Sequence, residues 1–217
     1  MKRSILISII LIAVGIVSCG KQAEDMKQTM DAFNNVKKLG EASQEINNYQ
    51  QVAEKRMAER RAKGDTIAIH FKTLQSYLPQ SISGYTMEAP EGQTTRMGEF
   101  SLSQASVKFV KKTATGEDHV RIEIADYNEN WGIYQGLTAW AIAGVSVENS
   151  DGWEKSYQPG TQYVYGYEKY SNKSKDANLT VSVGFRFLII IEASNQNGTD
   201  QVKAILNSMK INELANL

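Results

Sequence analysis

Apolar and polar positions change rhythm several times along the chain. Ile5 to Val17 is an almost unbroken apolar run, relieved only by Ser8 and Gly15. From Val36 the apolar positions fall three and four apart, at Leu39, Ala42, Ile46, Tyr49, Ala53 and Met57. That spacing predicts a single narrow stripe along a helix within residues 21–63, closed by Gly64-Asp65. Ile67, Phe71, Leu74 and Leu78 keep the helical spacing until Pro79 stops it. Ala89 to Gln93 reads as an exposed loop, and beyond it the period drops to two. Phe100 and Leu102, then Ala105, Val107 and Phe109, then Val120, Ile122 and Ile124 alternate with polar neighbours, as strands do. Thr115-Gly116-Glu117-Asp118 is the hairpin connection between the last two runs.

Helical spacing returns over residues 131–145, with Ile133, Leu137, Trp140, Ala141 and Gly144 on one face and Gly132, Gly136, Ala139 and Ala143 as small side chains that let the helix approach a sheet closely. Strands are predicted at about 147–155, 161–170, 178–187 and 187–193. The last two are either one long bent strand or two joined by a sharp turn. A closing helix runs from Thr199, a good N-cap, to about Leu214, with Val202, Ile205, Leu206 and Met209 as its stripe. Strands and helices do not alternate strictly. The fold class predicted is α+β, a mainly antiparallel sheet of about six strands covered by helices and preceded by a long N-terminal helix.

The apolar run at the start is preceded by Lys2 and Arg3. Thirteen helical residues span about 20 Å, short of a hydrocarbon core of about 30 Å, so the run fits the core of a secretory signal better than a bilayer span. It leads into Ile16-Val17-Ser18-Cys19-Gly20-Lys21, which resembles the lipobox of bacterial lipoproteins. The resemblance implies that the leader is cut before Cys19 and that the Cys19 sulfur carries acyl chains holding the protein on a membrane. At ~0.8 kcal/mol per buried methylene, two or more chains make such an anchor essentially permanent. The expected organisation is a signal peptide over 1–18, a lipid-anchored helical stalk over 19–64 and one α+β domain over 65–217. Gly20 stands where enteric lipoproteins retained at the inner membrane carry aspartate, so the same resemblance implies outer-membrane delivery within the bacterial cell envelope. The stripe of the stalk helix would serve to pair with another helix or to lie against its own domain; a stalk lifting the domain off the membrane is the preferred expectation.

Composition narrows the function classes. The 217 residues carry 24 Lys and Arg against 24 Asp and Glu, a balance that argues against nucleic-acid binding, which needs a cationic surplus. One cysteine excludes an internal disulfide and an all-cysteine zinc site. Lys55, Arg56, Arg60, Arg61 and Lys63 gather at the end of the predicted stalk, where cations complement the helix dipole; a polyanion patch is the less favoured reading. The order of hairpin, helix, several strands and final helix across 65–217 resembles the PsbP-like α/β/α sandwich of small extracytoplasmic proteins, a likeness of fold that carries no activity.

Candidate chemistry is sparse. Asp126, Asn128 and Asn130 have the spacing of the first calcium-loop ligands, but Trp131 stands where glycine is needed and Leu137 where glutamate is needed. A polar turn leading into a helix accounts for the same residues. His70 and His119 are the only histidines and lie outside any zinc-binding spacing, so no metal and no cofactor is expected. No G-x-S-x-G elbow, dinucleotide fingerprint or phosphate loop occurs.

The unusual stretch is Tyr163-Val164-Tyr165-Gly166-Tyr167-Glu168-Lys169-Tyr170. In a strand Tyr163, Tyr165 and Tyr167 would share one face as an aromatic row, a platform for peptide or sugar unless a helix covers it. Arg186, on the polar face of a neighbouring strand, either joins that platform or pairs with a carboxylate. These four residues are the candidate ligand-binding set, and no catalytic residue is assigned. The functional expectation is a lipid-tethered, non-catalytic binding or scaffold module, with the membrane as one partner and an envelope protein, peptide or glycan as the other. The alternative is an envelope hydrolase using scattered Asp and Glu as acid and base.

Overall fold

The computed structural model describes Gln44 and residues 46–217, except Thr115 and Ala143. The leader, Cys19 and the first half of the expected stalk lie outside the described residues. Helix α1 covers 46–62. There follow α2 (Phe71–Gln75), β1 (Thr86–Met87), β2 (Glu91–Met97), β3 (Phe100–Thr113), β4 (Gly116–Asp126) and α3 (Trp131–Ile142). The chain ends with β5 (Ser146–Asn149), β6 (Gly152–Tyr157), β7 (Val164–Ser171), β8 (Ala177–Val183), β9 (Phe187–Ala193), α4 (Asp200–Ser208) and α5 (Ile211–Ala215).

All nine strands belong to one antiparallel sheet in the order β1-β3-β4-β9-β8-β7-β6-β5, with β2 also on the free edge of β3. After β4 the chain crosses by α3 to the far edge, then meanders back until β9 closes beside β4. The α+β class holds, with nine strands among the described residues rather than about six. The three added strands have plain causes. Glu91 to Met97, expected in part as loop, is an edge strand with no alternation to betray it. Thr86–Met87 is too short to show a period. The run predicted at 147–155 folds into two strands about a turn at Ser150-Asp151, where the Asp151 N–H donates to Asn149 Oδ1 at 2.9 Å.

The pleat sends alternate residues to opposite faces, and the two faces are built differently. On one, Val107, Phe109, Val120, Ile122, Ile189, Ile191, Leu179 and Val181 form the main core under Leu74 of α2, Val202, Ile205 and Leu206 of α4 and Leu214 of α5. The closing helix is broken at Met209-Lys210, where Met209 is extended, so that both Met209 and Ile211 reach this core. On the other face, Ser182 lies between Val181 and Val183 and points the opposite way. Its hydroxyl meets Tyr134 Oη of α3 at 2.6 Å and Tyr49 Oη of α1 at 3.2 Å. Helices therefore cover both faces.

The described part of the expected stalk is not free of the domain. Tyr49, Ala53 and Met57, the predicted stripe, are buried. Tyr49 and Ala53 pack with Phe185 in a second, aromatic cluster flanked by Ile46, Trp131, Tyr163 and Tyr165. The basic cluster works in the same contact. Arg56 Nη2 donates to Ala215 O at 2.7 Å, Arg60 donates to the carbonyls of Gly184 and Phe185, and Arg61 Nε donates to Glu129 Oε2 at 2.7 Å. Burial, with Arg186 and Arg56 close by, draws the Arg60 pKa down from its usual value. These arginines serve to fasten a helix, so the compact unit starts upstream of the boundary expected at residue 65.

Helix α3 forms where predicted, but Gly132 and Gly136, expected to let it approach the sheet, have open space around them, and a different side turns inward. Tyr134 and Thr138 are buried, while Ile133 and Leu137 stand exposed. The sheet beneath offers a hydroxyl and a carbonyl, and Tyr134 Oη uses both Ser182 and Phe187 O. Thr138 Oγ1 donates to Tyr134 O at 2.9 Å, so no polar atom of this pair is buried unpaired. Burial raises the pKa of the Tyr134 hydroxyl well above the ordinary tyrosine value, and raises that of Tyr49 as well. Unfolded tyrosines ionise near about pH 10, where the folded pair still holds its protons. Their contribution to stability is thus whole below pH 10 and is lost as the pH climbs beyond it. Urea midpoints measured from pH 9 to 11 are expected to fall, and Tyr134→Phe is expected to flatten part of that fall while costing about 1 kcal/mol at neutral pH.

Candidate functional site

The turn between β8 and β9 organises the region where function is sought. Gly184 and Phe185 both have positive φ, +64° and +57°. A side chain at Gly184 would stand 2.9 Å from Ala215 O, so glycine is required there. Phe185 accepts the left-handed backbone because its ring is buried against Tyr49 at 4.7 Å and Tyr163 at 5.5 Å. The turn delivers Arg186 inward. Its Nε donates to Asp126 Oδ1 and its Nη2 to Asp126 Oδ2, both at 2.9 Å, and Nη1 donates to Asp65 Oδ2 at 2.6 Å. Arg186 is 1 % exposed and Asp126 fully buried. The carboxylate of Asp126 also accepts the Ile69 N–H at 2.7 Å and the Asn128 N–H at 3.0 Å.

That ion pair corrects the platform reading of Arg186. The guanidinium lies beyond the reach of a ligand, and its role is the structural pairing weighed as the other possibility. The tyrosine row is likewise redistributed. Tyr163 precedes β7 in a left-handed conformation, φ +61°, under the guanidinium of Arg56. Tyr165 lies in the aromatic cluster, 5.1 Å from Tyr49. Tyr167 is 5 % exposed, and burial together with a hydrogen bond to Glu154 raises its pKa above the usual tyrosine value. Helix α1 covers the Tyr163 and Tyr165 part of what would have been an open aromatic face. The Asp126 to Asn130 stretch is a turn leading into α3, its first carboxylate committed to Arg186 and the Asn130 carbonyl accepting the Tyr134 N–H. Among the described residues no group of His, Cys, Asp and Glu is placed to hold a metal ion. His70 caps α2, its Nδ1 accepting the Lys72 N–H.

The same ion pair sets one wall of a cleft of about 800 Å³ between α1 and the β2–β3 hairpin. With Asp126 gripping the Ile69 amide and Ser101 Oγ accepting the Ala68 N–H at 2.8 Å, the segment after α1 is held extended rather than helical. This is why α2 is shorter than its spacing predicts and why Ile67, expected in a buried stripe, faces the cleft instead. Arg61 and Glu129 meet across one side. The opposite side is the β2–β3 hairpin, with Arg96, Gly98, Glu99 and Phe100. Asn130 Nδ2 ties the two sides through Ser101 O at 2.6 Å.

The cleft combines apolar surface from Ile67 and Phe100 with charges of both signs, and two of its groups are underused. Glu129 commits Oε2 to Arg61, whose pKa is raised by that hydrogen bond, while the buried Oε1 of Glu129 has no partner. Arg96 is exposed and joins none of the ion pairs among the described residues. Beside it Met97, at the hairpin tip, is 74 % exposed. None of these residues carried a sequence motif; only the juxtaposition of three distant segments creates the site. Comparison of the chain with protein-family models, with curated proteins and with solved structures finds no match. No helix of the described residues is long and apolar enough to cross a membrane.

If the Arg186–Asp126 pair holds these segments, leaving one charge behind is costly. Asp126→Ala is expected to destabilise the protein by about 3–5 kcal/mol in urea melts. Pairing it with Arg186→Met should recover part of that loss, because no uncompensated buried cation then remains. A loss under about 1 kcal/mol for Asp126→Ala, the scale of an exposed pair, would contradict this role.

Proposed function

We propose that the chain is a lipid-anchored protein of the bacterial cell envelope, carried to the outer membrane, whose domain is a non-catalytic module that captures a partner in the cleft between α1 and the β2–β3 hairpin. The anchor rests on the sequence of positive head, apolar core and Cys19 within a lipobox-like stretch. The single observation that carries the binding reading is the 800 Å³ cleft itself, with the exposed Arg96, the exposed Met97 beside it and the partnerless Glu129 oxygen. An arginine fork and a buried acceptor lining one cleft suit a peptide segment that offers a carboxylate to one and a donor to the other.

A hydrolytic reading has one observation in its favour, that Glu99 and Glu129 line the same cleft. The binding reading is preferred because Glu129 is engaged by Arg61 through one oxygen and serves first as the wall of the cleft. Glu129→Gln abolishing hydrolysis of an envelope peptide or glycan by the purified chain would reverse that preference.

Two outcomes test the proposal. Radiolabelled palmitate is expected to enter the wild-type protein and not Cys19→Ser; equal labelling of both removes the anchor. A photo-crosslinker at Met97, in cells, is expected to give a discrete adduct that Arg96→Ala weakens about tenfold, the scale of one charge-assisted hydrogen bond, with the thermal midpoint unchanged. An adduct indifferent to Arg96 removes the cleft as the binding surface.

A further inference from the structure

Helix α3 is apolar on the side where a surface helix normally carries its charges. Its inner side, Tyr134 and Thr138, is already used by the sheet. On its outer side Ile133 is 53 % exposed and Leu137, one turn on, is 41 % exposed. Gly132 and Gly136 beside them have open space where a side chain would stand. Residues 130–147 contain no Asp, Glu, Lys or Arg at all. Solvation alone does not explain a helix apolar on both sides with one of them turned out.

The path of the chain says what that side faces. Helix α1 lies on the same face of the sheet as α3. Tyr49 stacks with Trp131 at 6.1 Å and shares the Ser182 hydroxyl with Tyr134. The described chain begins on this face, at Gln44 just before Ile46 of the aromatic cluster, with Cys19 upstream of it in the sequence. We infer that the outer face of α3, centred on Ile133 and Leu137, rests on the lipid surface to which Cys19 anchors the protein. This rests on the lipid-anchor reading of Cys19. The tether confines the domain close to the bilayer, so a weak apolar contact that would be negligible in free solution becomes populated. With no charge on the patch, the attraction is apolar and insensitive to salt, unlike a basic amphipathic helix on anionic lipid. Docked in this way, α2, α4 and α5 on the opposite face of the sheet point away from the membrane.

The test uses the full lipidated chain reconstituted into phosphatidylcholine vesicles, with Leu137→Cys carrying a polarity-sensitive fluorophore. Acylation occupies the Cys19 sulfur, which leaves the introduced thiol as the one available for labelling. The label is expected to shift its emission to the blue and to be quenched by lipids bearing spin labels, equally at low and high salt. The same fluorophore at Lys112→Cys, on the exposed far end of β3, is expected to stay water-like. Ile133→Cys supplies a second reporter should Leu137→Cys lower the thermal midpoint. A water-like label at both Leu137 and Ile133, on protein that takes up palmitate and floats with the vesicles, overturns the docking and leaves the anchor standing. Failure of palmitate uptake overturns both together. Labels that are shielded only when Leu137 sites crosslink between molecules assign the face to a second copy and overturn the lipid contact.

Discussion

A buried arginine holding two segments by their aspartates is the constraint on which the rest of this protein depends. Arg186 sits at the β8–β9 turn, Asp126 at the end of β4 and Asp65 just after α1, so one guanidinium joins parts of the chain far apart in sequence. Such a pair gives little net stability over an apolar replacement, since desolvating the charges cancels much of their attraction. What it gives here is position. Asp126 also accepts two backbone amides, of Ile69 and Asn128. The carboxylate thereby sets the path of the linker after α1 and of the turn before α3, which are two of the three segments that build the cleft.

Around that pair the domain acquires two unlike faces. One is an ordinary aliphatic core between sheet and C-terminal helices. The other is a small aromatic cluster sealed by α1, fastened through arginines to carbonyl oxygens and to Glu129. The aromatic residues that would make a ligand platform on an open sheet are used instead to seat this helix. The surface left for recognition moves to the edge of the sheet, where Arg96, Met97 and Ile67 are exposed. A domain that keeps its aromatic groove for its own helix presents a mixed-charge cleft at one edge instead.

Much of the fold was legible because it rests on period. The two-residue alternation through Phe109 and Ile124 gave the central strands, and the three-four spacing of Tyr49, Ala53 and Met57 gave the buried stripe of α1. What stayed hidden depended on pairing across distance. The stripe could not say whether it would face another helix or its own sheet, because the aromatic cluster that receives it comes from Trp131, Tyr163 and Phe185. The choice of face on α3 turned on Ser182, one hydroxyl on a strand four elements away. The turn at Gly184-Phe185-Arg186 carried a signal, a glycine within an apolar run, but it was masked by the β-propensity of its neighbours. Asp151-Gly152, by contrast, is a readable turn signal inside the single strand predicted at about 147–155. The cleft had no local signature, since its residues are ordinary surface types until the fold assembles them.

Native-state hydrogen exchange of two amides tests the central claim most directly. Ile69 and Asn128 lie in segments without regular secondary structure, yet both donate to the buried Asp126 carboxylate. If the Arg186 pair is what fixes these segments, both amides exchange only when the whole domain opens, as slowly as Ile189 in the sheet core. Exchange of either amide at the rate of an exposed loop, while Ile189 stays protected, would show that the linker and turn open without breaking the core, and would contradict the account.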